Sequence, residues 1–179
     1  MASWRCQYAG VVPDPVLGEL SSPEAVGRWE ERWRESISNP PTSRHRVLVA
    51  VSGGAGPASP RVVVGFASAG PATDADRWPG TDAELYELRV QPSLTRQGHG
   101  GRLLHAAADT LAEDGFHTAC TWTLEADLVM RVFLEASGWA LDGARADLDV
   151  GINVPAVRLH TTIREEPVRI GEEPVQLVP

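Results

Sequence analysis

A glycine-rich stretch in the second half of the chain constrains the fold most, Val90-Gln-Pro-Ser-Leu-Thr-Arg-Gln-Gly-His-Gly-Gly-Arg-Leu-Leu104. Residues 85–90 have the composition of a β-strand, and Pro92 ends it because proline has no amide to donate to a ladder. Behind the glycines, apolar residues recur at helical spacing, namely Leu103, Leu104, Ala107 and Leu111. The segment therefore predicts a strand, a short loop and a helix whose first turn is rich in glycine.

A helix start of this kind favours an anion. Its first amides have no partner within the helix and lie at the positive end of the helix dipole, where phosphate groups bind. Gly98 and Gly100 have no Cβ, so the backbone can come close to a ligand. The stretch thus predicts a nucleotide-like cofactor whose pyrophosphate lies on the amides of residues 97–102.

Two common phosphate-binding motifs do not fit this stretch. A P-loop requires a lysine followed by serine or threonine, and the chain has no such pair. A dinucleotide-binding fingerprint needs a third glycine, but Leu103 stands at that position. That fingerprint also belongs early in a βαβ series, whereas this stretch comes past the middle of the chain.

The stretch instead resembles the acetyl-CoA motif of the GCN5-related N-acetyltransferase (GNAT) family, V-x-P-x-x-x-[RQ]-x-x-G-x-G, read loosely so that its two glycines fall on Gly98 and Gly100. Residues 127–139 are similar to a second block of that family, N-x-x-A-x-x-F-Y-E-x-x-G-[FW]. Four positions of this block agree with the family, namely Phe133, Glu135, Gly138 and Trp139. Asp127 stands where the family has Asn, and Leu134 stands where it has Tyr. The resemblance covers residues 1–164 and is most specific over 84–139.

The resemblance implies an α/β fold of the GNAT type, an acyl-CoA N-acyltransferase fold with a central, mostly antiparallel, twisted sheet flanked by helices. The chain fits this expectation in its predicted order of helix, two strands, loop, strand, helix, strand, helix and strand. At 179 residues, it is long enough for one well-buried domain. We expect that domain over 1–164 and a C-terminal tail over 165–179 that is either disordered or exchanged with a second chain.

The family's cofactor contacts carry over to a set of residues around the two motifs. They are Leu88, Arg89, Val90, Thr95, Arg96, Gln97, Gly98, His99, Gly100, Gly101, Arg102, Asp127 and Phe133. Thr95 departs from the family, which usually has Arg or Gln there. Asp127 is equally expected to cap the N-terminus of its own helix. These positions imply acetyl-CoA as co-substrate.

The resemblance also implies a base, because a primary amine with a pKa near 10.4 is almost fully protonated at pH 7. Glu84 matches the strand position that carries the base in part of the family. Glu87 is the second candidate and lies on the other face of a regular strand, although a bulge between the two would change that. The backbone amide of Val90 is expected to stabilise the developing oxyanion. With Leu134 in place of the family's acidic Tyr, water is expected to protonate the leaving thiolate.

Three functions remain open from these residues. The leading hypothesis is an acetyl-CoA-dependent N-acetyltransferase that transfers acetyl to a primary amine of a small molecule or peptide in a ternary complex. Thr95 and Leu134 motivate the alternative, a catalytically idle acyl-CoA-binding or sensing module. The third is a nucleotide-binding protein of the Rossmann type.

Composition narrows the partners and the location. The net charge of −8 argues against nucleic acid, which needs a clustered basic face. The apolar runs have strand length and are too short to span a bilayer. Cys6 and Cys120 have no metal-ligand spacing. We therefore expect a cytoplasmic protein without a metal, a nucleic-acid partner or a membrane partner, while the resemblance allows a homodimer.

The first helix and one loop are expected to form the walls of the acceptor site. Ser22 and Pro23 indicate a helix start, since serine caps the first amides and proline suits the first position. Apolar residues follow it at helical spacing, namely Val26, Trp29, Trp33 and Ile37. Trp29 and Trp33 are expected to belong to the core. The family's acceptor walls correspond to residues 13–41 and 70–82.

Overall fold

The computed structural model describes residues 12–53, 61–149 and 152–164, so the predicted tail over 165–179 lies outside the described residues. The helices and strands are α1 (Asp14–Leu20), α2 (Pro23–Ser38), β1 (Arg46–Ser52), β2 (Val62–Pro71), β3 (Asp82–Val90), α3 (His99–Glu113), β4 (Thr118–Leu124), α4 (Leu128–Ala136), β5 (Ala140–Asp149) and β6 (Asn153–Thr162). A short 3₁₀ turn, Pro92–Leu94, follows β3. None of the described helices is long and apolar enough to cross a membrane.

The six strands form one sheet in the order β1-β2-β3-β4-β6-β5. Neighbouring strands are antiparallel except for β3 and β4, which are parallel. Parallel neighbours cannot be joined by a tight turn, and α3 supplies the crossover between them. The predicted α/β fold with a mostly antiparallel sheet is confirmed.

The core lies between α3 and one face of the sheet. All four apolar residues that indicated this helix are buried, namely Leu103, Leu104, Ala107 and Leu111. They pack in one cluster with strand residues that include Ala67, Leu85 and Leu88. The helical spacing in the sequence therefore predicted the buried face of α3 correctly, and this packing holds the start of the helix at the end of β3.

Helix α2 begins as predicted but buries less of its apolar stripe than expected. The Ser22 hydroxyl accepts a hydrogen bond from the Ala25 amide at 3.2 Å, and Pro23 is the first helical residue. Trp33 packs edge-on against Phe66 of β2, with ring centroids 5.0 Å apart. Trp29 is 36% exposed, so the expectation that it belongs to the core was wrong. The helix lies over the sheet near its edge, where few residues cover it.

Two features escaped the sequence-based prediction. The short helix α1 was not expected, and one closing strand was predicted where the structure has both β5 and β6. β5 lies at the edge of the sheet and pairs only with β6 among the described strands. An edge strand has less apolar surface to bury, and its sequence, ALDGARADLD, lacks the apolar pattern of a buried strand.

Candidate active site

A cleft opens where β3 and β4 diverge. The two strands pair over only three residues each, Asp82–Glu84 with Thr118–Cys120. At the point of divergence, the Thr121 hydroxyl donates a hydrogen bond to the Leu85 carbonyl at 2.8 Å. Beyond it lies a cavity of about 280 Å³ between the strands, closed at one end by α4. The cleft is therefore lined by β3, β4 and α4.

A β-bulge at Tyr86 decides which way the two candidate bases face. Ser68 lies opposite Glu87, but its neighbour Ala69 lies opposite Leu85, so Tyr86 is the extra residue in β3. Side chains alternate along a regular strand, so residues three apart, such as Glu84 and Glu87, would point to opposite faces. The extra residue shifts this alternation by one and places both side chains on the same face. Both carboxylates line the cleft, which corrects the expectation for a regular strand.

Glu84 is buried and oriented by a loop residue. Its side chain is only 9% exposed, and its Oε2 atom accepts hydrogen bonds from the Thr73 amide at 3.3 Å and the Thr73 hydroxyl at 3.0 Å. Burial raises the pKa of this carboxyl above its ordinary value, and the bonds from Thr73 partly oppose that rise. Since both of these described bonds end on Oε2, Oε1 is the atom available to a proton donor.

Glu87 has a different environment in the same cleft. Its carboxylate forms an ion pair with Arg89, with 3.2 Å between Oε1 and Nε. Burial raises the pKa of Glu87, and the positive charge of Arg89 opposes that rise. A carboxylate that is already paired with a guanidinium is the weaker candidate for accepting a proton from an amine.

The amides of Leu88 and Val90 point into the cleft. The Gln91 amide donates to the Val64 carbonyl directly opposite at 2.7 Å, so these two residues form a hydrogen-bonded pair. Hydrogen-bonded and non-hydrogen-bonded residue pairs alternate along an antiparallel ladder. The next pair, Val90 opposite Gly65, is therefore a non-hydrogen-bonded one. The same alternation applies to Leu88 with Ala67. The two amides therefore point away from β2, towards the side on which β4 has diverged.

The loop after β3 turns the chain into the start of α3. The hydroxyl of Thr95 donates to the Pro92 carbonyl at 3.0 Å, so this side chain supports the 3₁₀ turn. Arg96 has a φ of 62°, and Gly98 at the helix N-cap has a φ of 80°, a left-handed conformation that suits glycine. Arg96 and Gln97 are exposed beside the helix start.

Three amides precede the first hydrogen bond of α3, those of His99, Gly100 and Gly101. The Arg102 amide already donates to the Gly98 carbonyl at 3.1 Å, so the expected group of amides over 97–102 ends one residue earlier. Arg102 contributes its guanidinium instead, which lies 2.9 Å from Nδ1 of the buried His99 ring. Both the amides and this cation favour a phosphate group at the helix start.

Helix α4 closes the same end of the cleft. A Cβ atom added to Gly100 would lie 3.6 Å from the Phe133 ring and 3.7 Å from the Val90 side chain, so these three residues meet. Asp127 caps α4, because its Oδ1 atom accepts a hydrogen bond from the Met130 amide at 2.9 Å, and it also lines the cleft. The structure thus brings together the residues that the two motifs single out.

In this chain a core leucine stands where the family has the tyrosine that protonates the leaving thiolate. Leu134 is 1% exposed and packs with the buried face of α3. Tyr86 does not replace that acid, because its hydroxyl donates to the Pro71 carbonyl at 2.6 Å, and burial raises its pKa to about 12. Tyr8 lies outside the described residues.

Replacing Leu134 by alanine is expected to lower the free energy of unfolding by about 2–5 kcal/mol, because it leaves a cavity in the core. Urea unfolding followed by tryptophan fluorescence measures this loss. The control Leu134→Met conserves volume and is expected to cost less than about 1.5 kcal/mol. If the methionine variant kept its stability but lost turnover of an amine acceptor, Leu134 would have a role in the chemistry beyond packing.

Several residues at the site were not found from the sequence. Thr73 and Thr121 lie in segments whose composition does not set them apart from other loop and strand residues. Arg158 could have been found, because in the sequence it interrupts the apolar residues of strand β6. In the structure it is 4% exposed. A charged residue in such a strand is expected to have buried partners.

Comparison with known proteins agrees with this architecture. The sequence profile of the acetyltransferase (GNAT) family matches residues 15–139. An uncharacterised N-acetyltransferase of Bacillus subtilis, YuaI, is 31% identical over 123 residues, which are 69% of this chain. The aligned region covers 61% of that protein, so the chain spans less than two thirds of the length of this relative.

Solved structures show the same fold at low sequence identity. An aminoglycoside 6′-N-acetyltransferase in complex with coenzyme A superposes with a TM-score of 0.60 at 22% identity, over 84% of this chain and 89% of that one. The PaiA N-acetyltransferase of Thermoplasma acidophilum, also in complex with coenzyme A, gives a TM-score of 0.55 at 18% identity, over 89% and 86% of the two chains. At these identities the likeness concerns the fold.

Proposed function

Because the chain belongs to the acetyltransferase (GNAT) family, we propose that it transfers the acetyl group of acetyl-CoA directly to a primary amine of a small molecule or peptide in one ternary complex. One observation carries the proposal: β3 and β4 diverge into a cleft that is lined by the buried Glu84, and the end of β3 beyond it, Val90, meets Gly100 at the start of α3. An acyl-CoA and an amine need these two features next to each other.

The chain's own residues fit a pyrophosphate group at the helix start. The amides of His99, Gly100 and Gly101 face it with the positive end of the α3 dipole, and the Arg102 guanidinium adds a cation. Gly100 leaves the space in front of Phe133 open. The Leu88 and Val90 amides point into the cleft, where an extended amide-containing arm can accept their hydrogen bonds. Acetyl-CoA supplies the activated acetyl thioester.

Glu84 is proposed as the base. An ammonium group that enters the cleft must lose a proton before it can attack, and a buried carboxylate with a raised pKa accepts that proton near neutral pH. Thr73 holds Oε2, so Oε1 is directed at the incoming amine or at a bridging water. The neutral amine then attacks the thioester carbon, so that the amide bond forms and the thioester bond breaks. One nitrogen proton is held by Glu84, and the second, released as the amide forms, passes through water to the departing thiolate.

Val90 is proposed to stabilise the negative charge that develops on the thioester oxygen. Its amide points into the cleft, and a donor that is already oriented needs no rearrangement during the reaction. The thiolate leaves as an anion and takes its proton from water, since Leu134 provides no acid. The described site therefore supports acetyl transfer through one base and one backbone donor.

The buried Leu134 and the engaged Thr95 hydroxyl favour a second candidate, an acyl-CoA-binding module without turnover. Calorimetric titration with acetyl-CoA, combined with a free-thiol release assay over a panel of primary amines, separates the two. We expect saturable binding at one site and amine-dependent thiol release. Binding of acetyl-CoA with no thiol release for any amine on the panel would favour the binding module. Absence of acetyl-CoA binding would overturn both candidates.

A further inference from the structure

A buried arginine ties the loop before β3 to the other half of the sheet. Arg158 of β6 donates from Nη1 to Asp74 at 2.6 Å and from Nη2 to Asp76 at 2.5 Å, and both aspartates belong to the loop over residues 72–81. Its Nε donates to Asp142 of β5 at 2.7 Å. Trp122 of β4 adds a third attachment of the loop, because its indole N–H donates to Asp74 at 2.9 Å. A fourth is the ion pair between Arg77 of the loop and Asp142 of β5. The loop is therefore held by β4, β5 and β6.

The anchored part of the loop is also the part that orients the proposed base. Thr73, which donates both of the bonds on Glu84 Oε2, is the immediate neighbour of Asp74. An unanchored loop of ten residues would have many conformations, and most of them would carry the Thr73 hydroxyl away from the carboxylate. The burial of Arg158 makes its attachment strong, since breaking it leaves uncompensated charges in the protein interior.

We propose that Arg158 is a positioning residue for Glu84: through Asp74 it fixes the loop over residues 72–81 and so holds Thr73 against the Glu84 carboxylate. Arg158 itself donates to none of the Glu84 oxygens in the described contacts, so its action runs through Thr73 and through its charge. The inference rests on the proposed function, because an oriented Glu84 matters only if that carboxylate takes the proton.

Charges on every side of Glu84 determine the direction of the effect. The titratable groups around it are Asp74 on the loop, Arg158 on β6, Cys120 on β4 and Tyr86 on β3. Burial is the largest influence on the pKa of Glu84 and raises it. The hydrogen bonds from Thr73 and the charge of Arg158 lower this pKa, whereas the charge of Asp74 raises it. Loss of Arg158 removes a lowering charge and releases Thr73, and both changes raise the pKa of Glu84.

A double-mutant cycle on Arg158 and Thr73 tests the inference. The variants are Arg158→Gln, Thr73→Val and the two combined. Arg145→Gln is the matched control, because it removes an arginine from β5 whose ion pair is with Glu125, outside the loop. The pKa of Glu84 is read from the ¹³C chemical shift of its carboxyl in labelled protein, and the signal is identified by its absence in Glu84→Gln. The acidic limb of kcat/KM for an amine acceptor gives a second reading.

Each single variant is expected to raise the Glu84 pKa by about 0.5–1 unit, and the combined variant by less than the sum. Arg145→Gln is expected to leave the Glu84 pKa unchanged, because neither Arg145 nor its partner Glu125 contacts the loop in the described ion pairs. If Arg158→Gln does not fold, Arg158→Lys replaces it in the cycle, since it keeps the buried charge but cannot bridge three aspartates. An unchanged Glu84 pKa, or shifts that add fully, would overturn the inference.

The carboxyl titration needs no turnover, so the two hypotheses can fail separately. If no amine on the panel is acetylated, the proposed function fails, while the ¹³C titration still shows whether Arg158 governs Glu84 through Thr73. If acetylation occurs and depends on Glu84, but the pKa does not respond to Arg158, the positioning role alone is wrong.

Discussion

Replacing Gly100 by glutamate is expected to abolish the binding of acetyl-CoA. The new carboxylate would enter the space between the start of α3 and the ring of Phe133, where the proposed pyrophosphate lies. Two unit charges of the same sign about 4 Å apart near a protein surface repel by about 4 kcal/mol, which corresponds to a loss of affinity of about 1,000-fold. Calorimetric titration with acetyl-CoA measures the loss.

Two controls separate the charge from other effects of this substitution. Gly27→Glu makes the same change of charge on α2, where an added Cβ has nothing within 4 Å, and is expected to leave the affinity unchanged. Gly100→Ala adds a Cβ at ordinary contact distance from Phe133, so that variant is expected to fold and to bind with moderately reduced affinity. Unchanged affinity in Gly100→Glu would refute the proposed location of the cofactor.

Replacing Glu84 by glutamine is expected to lower kcat by about 100-fold or more near neutral pH, which is a common contribution of a general base. The affinity for acetyl-CoA is expected to change little, because Glu84 lies at the other end of the cleft from the helix start. The rate of the parent falls as pH decreases through the raised pKa of Glu84, and the variant lacks this acidic limb. Steady-state kinetics from about pH 5 to about pH 9.5 covers the range between the pKa of a carboxyl group and that of an amine acceptor.

The glutamine variant also has a predicted effect on stability, and its sign follows from the direction of the pKa shift. A carboxyl whose pKa is raised in the folded state stabilises that state only when protonated, and this contribution is lost as pH rises through the folded value. Above that value the ionised Glu84 costs stability, and there Glu84→Gln is expected to melt at a higher temperature than the parent. Lower activity together with higher stability would separate a catalytic loss from misfolding.

Glu87→Gln is the matched control for the choice of base. It removes a carboxylate from the same face of the same strand and leaves the bonds between Thr73 and Glu84 intact. A smaller loss of kcat is expected, with the acidic limb retained. If Glu87→Gln lost the acidic limb of the pH–rate profile and Glu84→Gln kept it, the base would be Glu87.

The sequence could predict the parts of this protein that local patterns determine. The apolar spacing of Leu103, Leu104, Ala107 and Leu111 identified the buried face of α3, and the serine–proline pair at 22–23 identified the start of α2. The glycines at 98, 100 and 101 identified the start of α3, because their effect on the backbone is local, and the anion site that they indicate there stays a prediction. Each of these signals lies within one turn or one face of a single element.

The cleft itself depends on contacts that no local pattern contains. Residues 82–84 of β3 pair with β4, but the rest of β3 does not, and nothing in the sequence of either strand marks this point. The Tyr86 bulge appears only in the register between β2 and β3. Asp74 and Arg158 are separated by 84 positions in the chain. Their contact follows from the tertiary fold, so no role for Arg158 was predicted from the sequence.

The short junction between β3 and β4 links ligand binding to the cohesion of the sheet. Three residue pairs join two halves that are otherwise built from longer antiparallel ladders, so the junction has the fewest backbone bonds of any strand pair described. A molecule bound in the cleft contacts both strands where their own bonding has ended. Because it binds the joined form and not the separated one, it stabilises the folded protein by mass action. If acetyl-CoA occupies the cleft as proposed, the space that it requires shortens the ladder between β3 and β4, and its binding offsets part of the stability that the short ladder does not provide.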